Sequence, residues 1–204
     1  MGRAYFAAML VVFLNDREAA AYGRYVGAPS QSELDRMFFL DDADRALIAK
    51  RRGDHNRLGL ALQLTTVQYL GTFLTDPLDV PTVVLDRLAG QLQIADPSCA
   101  KRYTERRSTP FEHRDVIKAA YGLREFSEAE GEFAVWVRSR AWNTGQGPKT
   151  IFTDGVRWLR TNAVLLPGVS TLARSVARVR DQAVEDLHER LAGLLSAHQR
   201  TILE

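Results

Sequence analysis

Apolar positions along the chain recur at helical spacing, and short polar residues that start helices punctuate them. Asn15 with Glu18, and Ser30 with Glu33, have the spacing of a capping box, in which each side chain satisfies the other residue's backbone N–H. Asp41 opens a segment reaching Lys50, and Gly53 is placed to stop it. Asp54 is expected to cap a long helix running to about Phe73, and TDPLDVP reads as a turn. Pro81 suits the first turn of the next helix, to about Gln93. Asp96 before Pro97 starts another, and Thr109 before Pro110 starts one that ends near Tyr121. Ser127 with Glu130 boxes the helix that carries Phe133, Trp136 and Val137. After the loop NTGQGP, helices are expected from about Lys149 to Ala163, from Ser170 onward, and from Ser196 with Gln199 in boxed position. No segment alternates apolar and polar residues long enough for a strand. The expected fold is all-α: two packed helical groups, the second with a helix-turn-helix-like arrangement, plus a C-terminal helix. The polar stretch KRYTERRSTP marks the module boundary, which gives 1–105, 106–180 and 181–204.

Two apolar runs bear on compartment. Residues 58–75 carry no charge and approach the length of a membrane span, but Gln63, Thr65, Thr66, Gln68, Thr72 and Thr75 favour a buried core helix. Residues 4–14 loosely imitate a secretory signal, against which stand Asn15, Asp16, Arg17 and Glu18 just after the run. Apolar residues make up 46% and charged residues 25%, which is ordinary for a globular chain. A single cysteine, Cys99, excludes an internal disulfide and a cysteine-based zinc site. The expected setting is cytoplasmic and nucleoid-associated, with no membrane partner.

Charge changes the picture more than composition does. The net charge of +2 hides a segment, 136–180, in which eight basic residues face one acid, Asp154, for a local +7. Such a footprint attracts phosphates; on charge alone a solvated basic face is an equal alternative. Within it, FTDGVRWLRTNAVLLPGVSTLARSVARVR reads as helix, turn, helix. Leu172, Val176 and Val179 share one side of the second helix and would dock it. Thr171, Arg174, Ser175 and Arg178 are expected on the other side, exposed, with the chemistry a major-groove helix needs. Arg138, Arg140 and Lys149 lie in the same basic segment as further DNA contacts. A second cluster, KRRGDHNR, offers Arg51, Arg52, His55, Asn56 and Arg57 around a helix start, where phosphate is favoured; the alternative is a charged inter-helix turn.

Catalytic chemistry is not legible. The carboxylates fall at helix starts and the four histidines are scattered. GDHNRLG lacks the lysine and strand of a phosphate loop, and no nucleophile has a motif around it. No enzyme activity, metal or cofactor is expected of this chain.

Several stretches together resemble a known family. RRGDHNRLG and LQLTTVQYLGTF, with FLNDREAAAYGRYVGAPSQSELDRMFFLDDADRALIAK before them and IADPSCAKRYTERRSTPFEH and LLPGVSTLARSVARVRD after, are similar to the N-terminal region of Tn-three family transposases, the large replicative transposases of bacteria. The resemblance runs from about Val12 onward; residues 1–11 do not match. It implies a helical region that binds the terminal inverted repeats of a transposon as double-stranded DNA, with an Asp-Asp-Glu catalytic domain far downstream. A truncated gene or an expressed domain would both fit, and a homodimer of the full-length protein is left open. The competing reading is a helical protein-interaction module, for which Val184, Leu187, Leu191, Leu194 and Leu195 would supply an apolar stripe.

Overall fold

The computed structural model describes residues 13–143 and 146–194, apart from the side chains of residues 143, 191, 192 and 194. The elements are α1 (Asp16–Ala21), α2 (Gln31–Met37), α3 (Asp42–Ala49), α4 (Asp54–Leu70), α5 (Thr82–Gln91), a 3-10 helix (Pro97–Thr104), α6 (Ser108–Tyr121), α7 (Phe126–Asn143), α8 (Pro148–Thr161) and α9 (Val169–Leu194). The fold is all-α, with no strand among the described residues. They form two compact units. One comprises residues 20–124 and 163–166, the other the described parts of 1–19, 125–162 and 167–204.

The first unit is built around α4. Its sequence is apolar on every side, so it can be stable only if neighbours cover it all round. Every residue from Leu58 to Val67 is buried, under α2, α3, α5, the 3-10 helix and α6. Its polar side chains are satisfied internally. Thr65 Oγ1 donates to the Ala61 carbonyl at 2.9 Å, and Thr66 Oγ1 shares a 2.9 Å hydrogen bond with the Tyr25 hydroxyl. Gln63 Nε2 donates to the Tyr103 hydroxyl at 2.5 Å and to the Pro110 carbonyl at 3.1 Å. The Tyr103 hydroxyl in turn lies 2.8 Å from His113 Nδ1. Gly59 lets the Tyr103 ring lie flat on the helix, because a Cβ there would sit 2.2 Å from that ring.

The surrounding helices are held by side chains that do two jobs. Asp44 completes the capping box of α3 with Asp41 and also accepts from the Tyr121 hydroxyl of α6. Gln91 accepts from Leu40 N–H at 2.9 Å and donates to the Phe38 carbonyl at 2.7 Å, so one amide satisfies a buried backbone corner. Residues 163–166 return to this unit from the far end of α8. The Arg124 and Ala163–Leu165 backbones exchange hydrogen bonds at 2.9 Å, and Leu166 N–H donates to Gly71 O at 2.9 Å.

The second unit packs α7, α8 and α9 against one another. Phe133 lies at its centre, with ring centroids 5.6 Å from Phe126 and from Trp158 and 5.8 Å from Trp136. Phe13 enters the same core against Phe152 at 5.8 Å. Gly155 makes room for Phe133, which would be 3.1 Å from a Cβ at that position. Helices α7 and α9 run parallel. Glu130 meets Arg178, Arg138 meets Asp186, and Trp142 meets Arg190, always 48 residues apart.

Several sequence expectations hold in outline and shift in detail. The boxes at Asn15–Glu18 and Ser30–Glu33 form as expected. Helix α4 starts on Gly53, not Asp54, because Gly53 takes φ 79° and its carbonyl accepts from Asn56 and Arg57. The start of α7 is set by Glu128, which caps Glu125 N–H at 2.7 Å, two residues before the expected Ser127–Glu130 box. Ser170 lies inside the first turn of α9, and the Gly168 carbonyl accepts the first helical hydrogen bonds. The units divide at Arg124, not near residue 105. KRYTERRSTP is no linker, because Tyr103, Thr109 and Pro110 are buried and α6 delivers His113 and Ile117 to the first core. Residues 181–194 continue α9 as one helix, and the expected helix from Ser196 lies outside the described residues. Residues 162–168 join α8 to α9, a longer connection than the three or four residues of a tight helix-turn-helix.

The network around Gln63 generates a pH prediction. Burial first, and the nearby Arg51 charge second, depress the His113 pKa from 6.5 to about 4. The hydroxyl of Tyr103 accepts from Gln63 and shares its other hydrogen bond with Nδ1, in a buried setting that, among the described residues, offers an added charge on the ring no carboxylate hydrogen bond. The folded state therefore binds fewer protons than the unfolded state between pH 6.5 and 4. This group's contribution is whole above pH 6.5 and is lost as pH falls toward 4. The difference in unfolding free energy between wild type and His113→Gln should shrink by up to about 3 kcal/mol across that window. A difference that stays flat with pH would show that His113 is not held neutral.

Candidate nucleic-acid interface

Helix α9 carries the candidate reading face, and its register follows from its apolar residues. Leu172, Val176 and Val179 are buried as expected, and Ala183 continues their stripe. Thr171, Arg174 and Arg178 are exposed on the other side. Ser175 is not: it is 5% exposed, and its Oγ is enclosed without a hydrogen-bond partner. The reason is angular. At 100° per residue Ser175 lies within about 60° of Leu172, on the core side of the stripe's edge. It is therefore removed from the exposed reading set.

The face opens onto a shallow groove of about 620 Å³, lined by Thr171, Arg174, Ser175, Ala177, Arg178, Asp181, Gln182 and Glu185 of α9 and, from α7, Glu130. Arg178 Nη2 donates to Glu130 Oε1 at 3.1 Å, and both side chains keep about half their surface in water, 54% and 47%. Arg174 Nε donates to the Ser170 carbonyl at 3.2 Å, which turns its guanidinium toward the start of the helix. Gln182 and Glu130 were not singled out as site residues by sequence. Gln182 stands eleven residues after Thr171, on the same helical face, so the signal was present. Glu130 comes from another helix, and nothing local points to it.

The remaining basic residues of the 136–180 segment are distributed among local partners. Lys149 pairs with Glu18 at 2.8 Å, which holds the Glu18 carboxyl below its ordinary range. Arg138 approaches Asp186 at 3.8 Å, and Arg140 lies over the Trp136 ring at 5.4 Å. Arg157 pairs with Asp154 at 2.6 Å and, with Arg160, lines a second surface depression on α8. Apart from Asp154, whose side chain is 21% exposed, the charged partners in these contacts are largely exposed, so the contacts hold their cations only weakly.

The KRRGDHNR cluster lies in the other unit and separates into structural and exposed members. Arg57 pairs with Asp54 at 3.0 Å and donates to the Leu92 carbonyl at 3.2 Å, which ties α4 to the end of α5. Asn56 Nδ2 donates to the Arg52 carbonyl at 2.9 Å. The His55 ring folds over Gly53, 2.8 Å from where a Cβ would be. Arg51 is half-buried, with Nε enclosed and unpaired. Lys50 and Arg52 are exposed beside the open N-terminus of α4. Among the described residues no three His, Cys, Asp or Glu side chains converge as a metal site, and no helix is long and apolar enough to cross a membrane. Of the uncharged 58–75 run, residues 58–67 are buried core, as read from its threonines and glutamines, while 68–74 are partly buried and Thr75 is exposed.

Comparison with known proteins defines the class. The chain belongs to the family described as Domain of unknown function (DUF4158), which matches residues 13–179. Among its relatives, it is 43% identical over 91% of its length to the transposase for transposon gamma-delta of Escherichia coli (strain K12). It is 30% identical over 86% of its length to the transposase for transposon Tn501 of Pseudomonas aeruginosa, and 27% identical over 84% to that for transposon Tn1546 of Enterococcus faecium. The chain spans 19%, 18% and 17% of the lengths of these relatives, less than a fifth of each. The resemblance to the N-terminal region of Tn-three transposases is thus supported by whole-chain similarity.

The buried Ser175 hydroxyl yields a prediction about stability. It has no partner to lose, so Ser175→Ala should leave the thermal midpoint unchanged or raise it, by up to about 1 kcal/mol of unfolding free energy. A clear loss of stability in thermal denaturation would show that the hydroxyl is satisfied and that the stripe's edge is polar by design.

Proposed function

We propose that this chain is a non-catalytic, N-terminal DNA-binding segment of a transposase, and that it recognises the terminal inverted repeats of a transposon. The observation that carries this reading is the exposure of Thr171, Arg174 and Arg178 on one face of α9, inside the +7 segment 136–180. Arginine offers a planar fork that matches a guanine edge, and the segment's surplus cations supply sequence-independent attraction to phosphate. The relatives' printed names as transposases give the biological setting. In the whole protein, cleavage and strand transfer belong to a separate domain, and this segment delivers it to the ends.

A second reading, a protein-interaction module, draws on Val184 and Leu187, which are 47% and 40% exposed on α9. Leu191, Leu194 and Leu195, which would extend that stripe, lie outside the described side chains. The two readings separate on DNA. Selection by the chain from a randomised duplex pool should enrich one sequence that matches a transposon terminal repeat, with affinity that falls steeply with salt. Absence of enrichment would leave the protein-interaction reading standing.

On the enriched duplex, Arg174→Ala or Arg178→Ala should cost about 1–3 kcal/mol, and less on a scrambled duplex. Equal weakening on both duplexes would make these arginines phosphate contacts.

In the other unit, Arg52→Ala should weaken both duplexes alike and reduce the salt slope by about one unit if Arg52 meets a phosphate. Unchanged affinity and slope would assign the KRRGDHNR cluster to the fold alone.

A further inference from the structure

The groove on the reading face holds three carboxylates, Asp181 and Glu185 from α9 and Glu130 from α7, and the placement of Glu130 has a consequence for sequence recognition. Thr171, Arg174, Arg178 and Gln182 all come from α9, whereas Glu130 reaches their groove from α7. It does so from a fixed position. The parallel ladder of Glu130 with Arg178, Arg138 with Asp186, and Trp142 with Arg190 sets α7 and α9 in register along their length. Of these three contacts, the one at Glu130 holds a cation of the reading face. The other two lie further along α9 toward its C-terminal end.

We propose that Glu130 is a positioning residue for sequence reading, which acts by orienting the Arg178 guanidinium. This rests on the reading of α9 as a DNA-recognition helix. Glu130 Oε1 accepts one hydrogen from Arg178 Nη2 at 3.1 Å. The guanidinium carries five N–H donors, so the fork that pairs with guanine O6 and N7 is still available. A free arginine loses much rotamer freedom when it docks, and a guanidinium already held by a carboxylate loses less. A carboxylate beside DNA also repels phosphate, whatever the sequence. The two effects have different signatures. Repulsion weakens every duplex equally, whereas orientation strengthens only the duplex that offers Arg178 its guanine.

The experiment measures affinity for the enriched duplex and for its scrambled counterpart at one fixed salt concentration. The proteins are the wild-type chain, Glu130→Gln, Glu130→Asp, Arg178→Ala and the Glu130→Gln/Arg178→Ala pair. Glu130→Gln should lower the preference for the enriched duplex about tenfold while scrambled binding holds or tightens. Glu130→Asp keeps the charge and shortens the reach, so it should lower preference without tightening scrambled binding. In the Arg178→Ala background, Glu130→Gln should lower preference no further. Equal tightening on both duplexes, with preference intact, would reduce Glu130 to a repulsive surface charge and overturn the proposal. So would unchanged binding in Glu130→Gln, or a loss of preference that persists without Arg178. A wild-type chain that shows no preference would overturn the DNA-reading function as well. A wild-type preference that Glu130→Gln leaves intact overturns the positioning role alone.

Discussion

The constraint on which the first unit depends is a helix that cannot face water. Helix α4 has no charge from Leu58 to its end at Leu70, and a helix apolar on all sides needs cover on all sides. Five other elements provide it, and their arrangement follows from the few polar atoms that α4 takes into the core. Gln63 must find two acceptors and a donor, so Tyr103, the Pro110 carbonyl and Arg114 converge on it. That convergence fixes where the 3-10 helix meets α6. Gly59 allows it, since any side chain there would push the Tyr103 ring away. A dry alternative, with leucine at 63, would remove the need for this meeting and with it the register between the two elements.

The second unit is organised by charge as well as by its aromatic core. Phe133, Trp136 and Trp158 hold α7 and α8 together, but rings tolerate sliding. The three contacts between α7 and α9, each joining residues 48 apart, do not, because each names one partner. Exposed ion pairs contribute little energy, so their effect here is register more than stability. They leave the reading face of α9 at a defined rotation relative to α7. A recognition helix needs that rotation fixed, since a turn of one residue would carry Arg178 by 100°.

What the sequence made legible was what local rules control. The capping boxes at Asn15 and Ser30, the helix start at Asp41, the core character of α4 and the inward stripe of α9 need only neighbours three or four residues away. The unit boundary was hidden for the opposite reason. KRYTERRSTP is charged and looks like a linker, yet Tyr103 within it is among the most buried residues of the chain, because its partners lie 40 residues earlier and ten later. Ser175 was misplaced because its polar type was weighed above its angle, which puts it within about 60° of Leu172 at the edge of the apolar stripe. Glu130 was read as a capping residue, and its partner Arg178 is 48 positions away.

The same long-range pairing changes how the +7 segment should be understood. Counted along the chain, its cations look unopposed. In the fold, Arg138, Lys149 and Arg178 meet Asp186, Glu18 and Glu130, three carboxylates from outside the segment. This does not remove the cations from DNA binding. An exposed pair worth about 1 kcal/mol or less is easily exchanged for a phosphate, whose field sums over many neighbours along the duplex. If this surface binds DNA as proposed, the pairs hold each long side chain near one position beforehand and lower the attraction to a polyanion that cannot replace the exchangeable carboxylates together. On the proposed DNA-binding reading, a duplex that fits replaces the carboxylate partners of Arg138 and Lys149 together while Glu130 keeps its hold on Arg178, and one that fits poorly replaces few. On that reading, internal pairing converts an unselective charge excess into a surface whose affinity depends on fit.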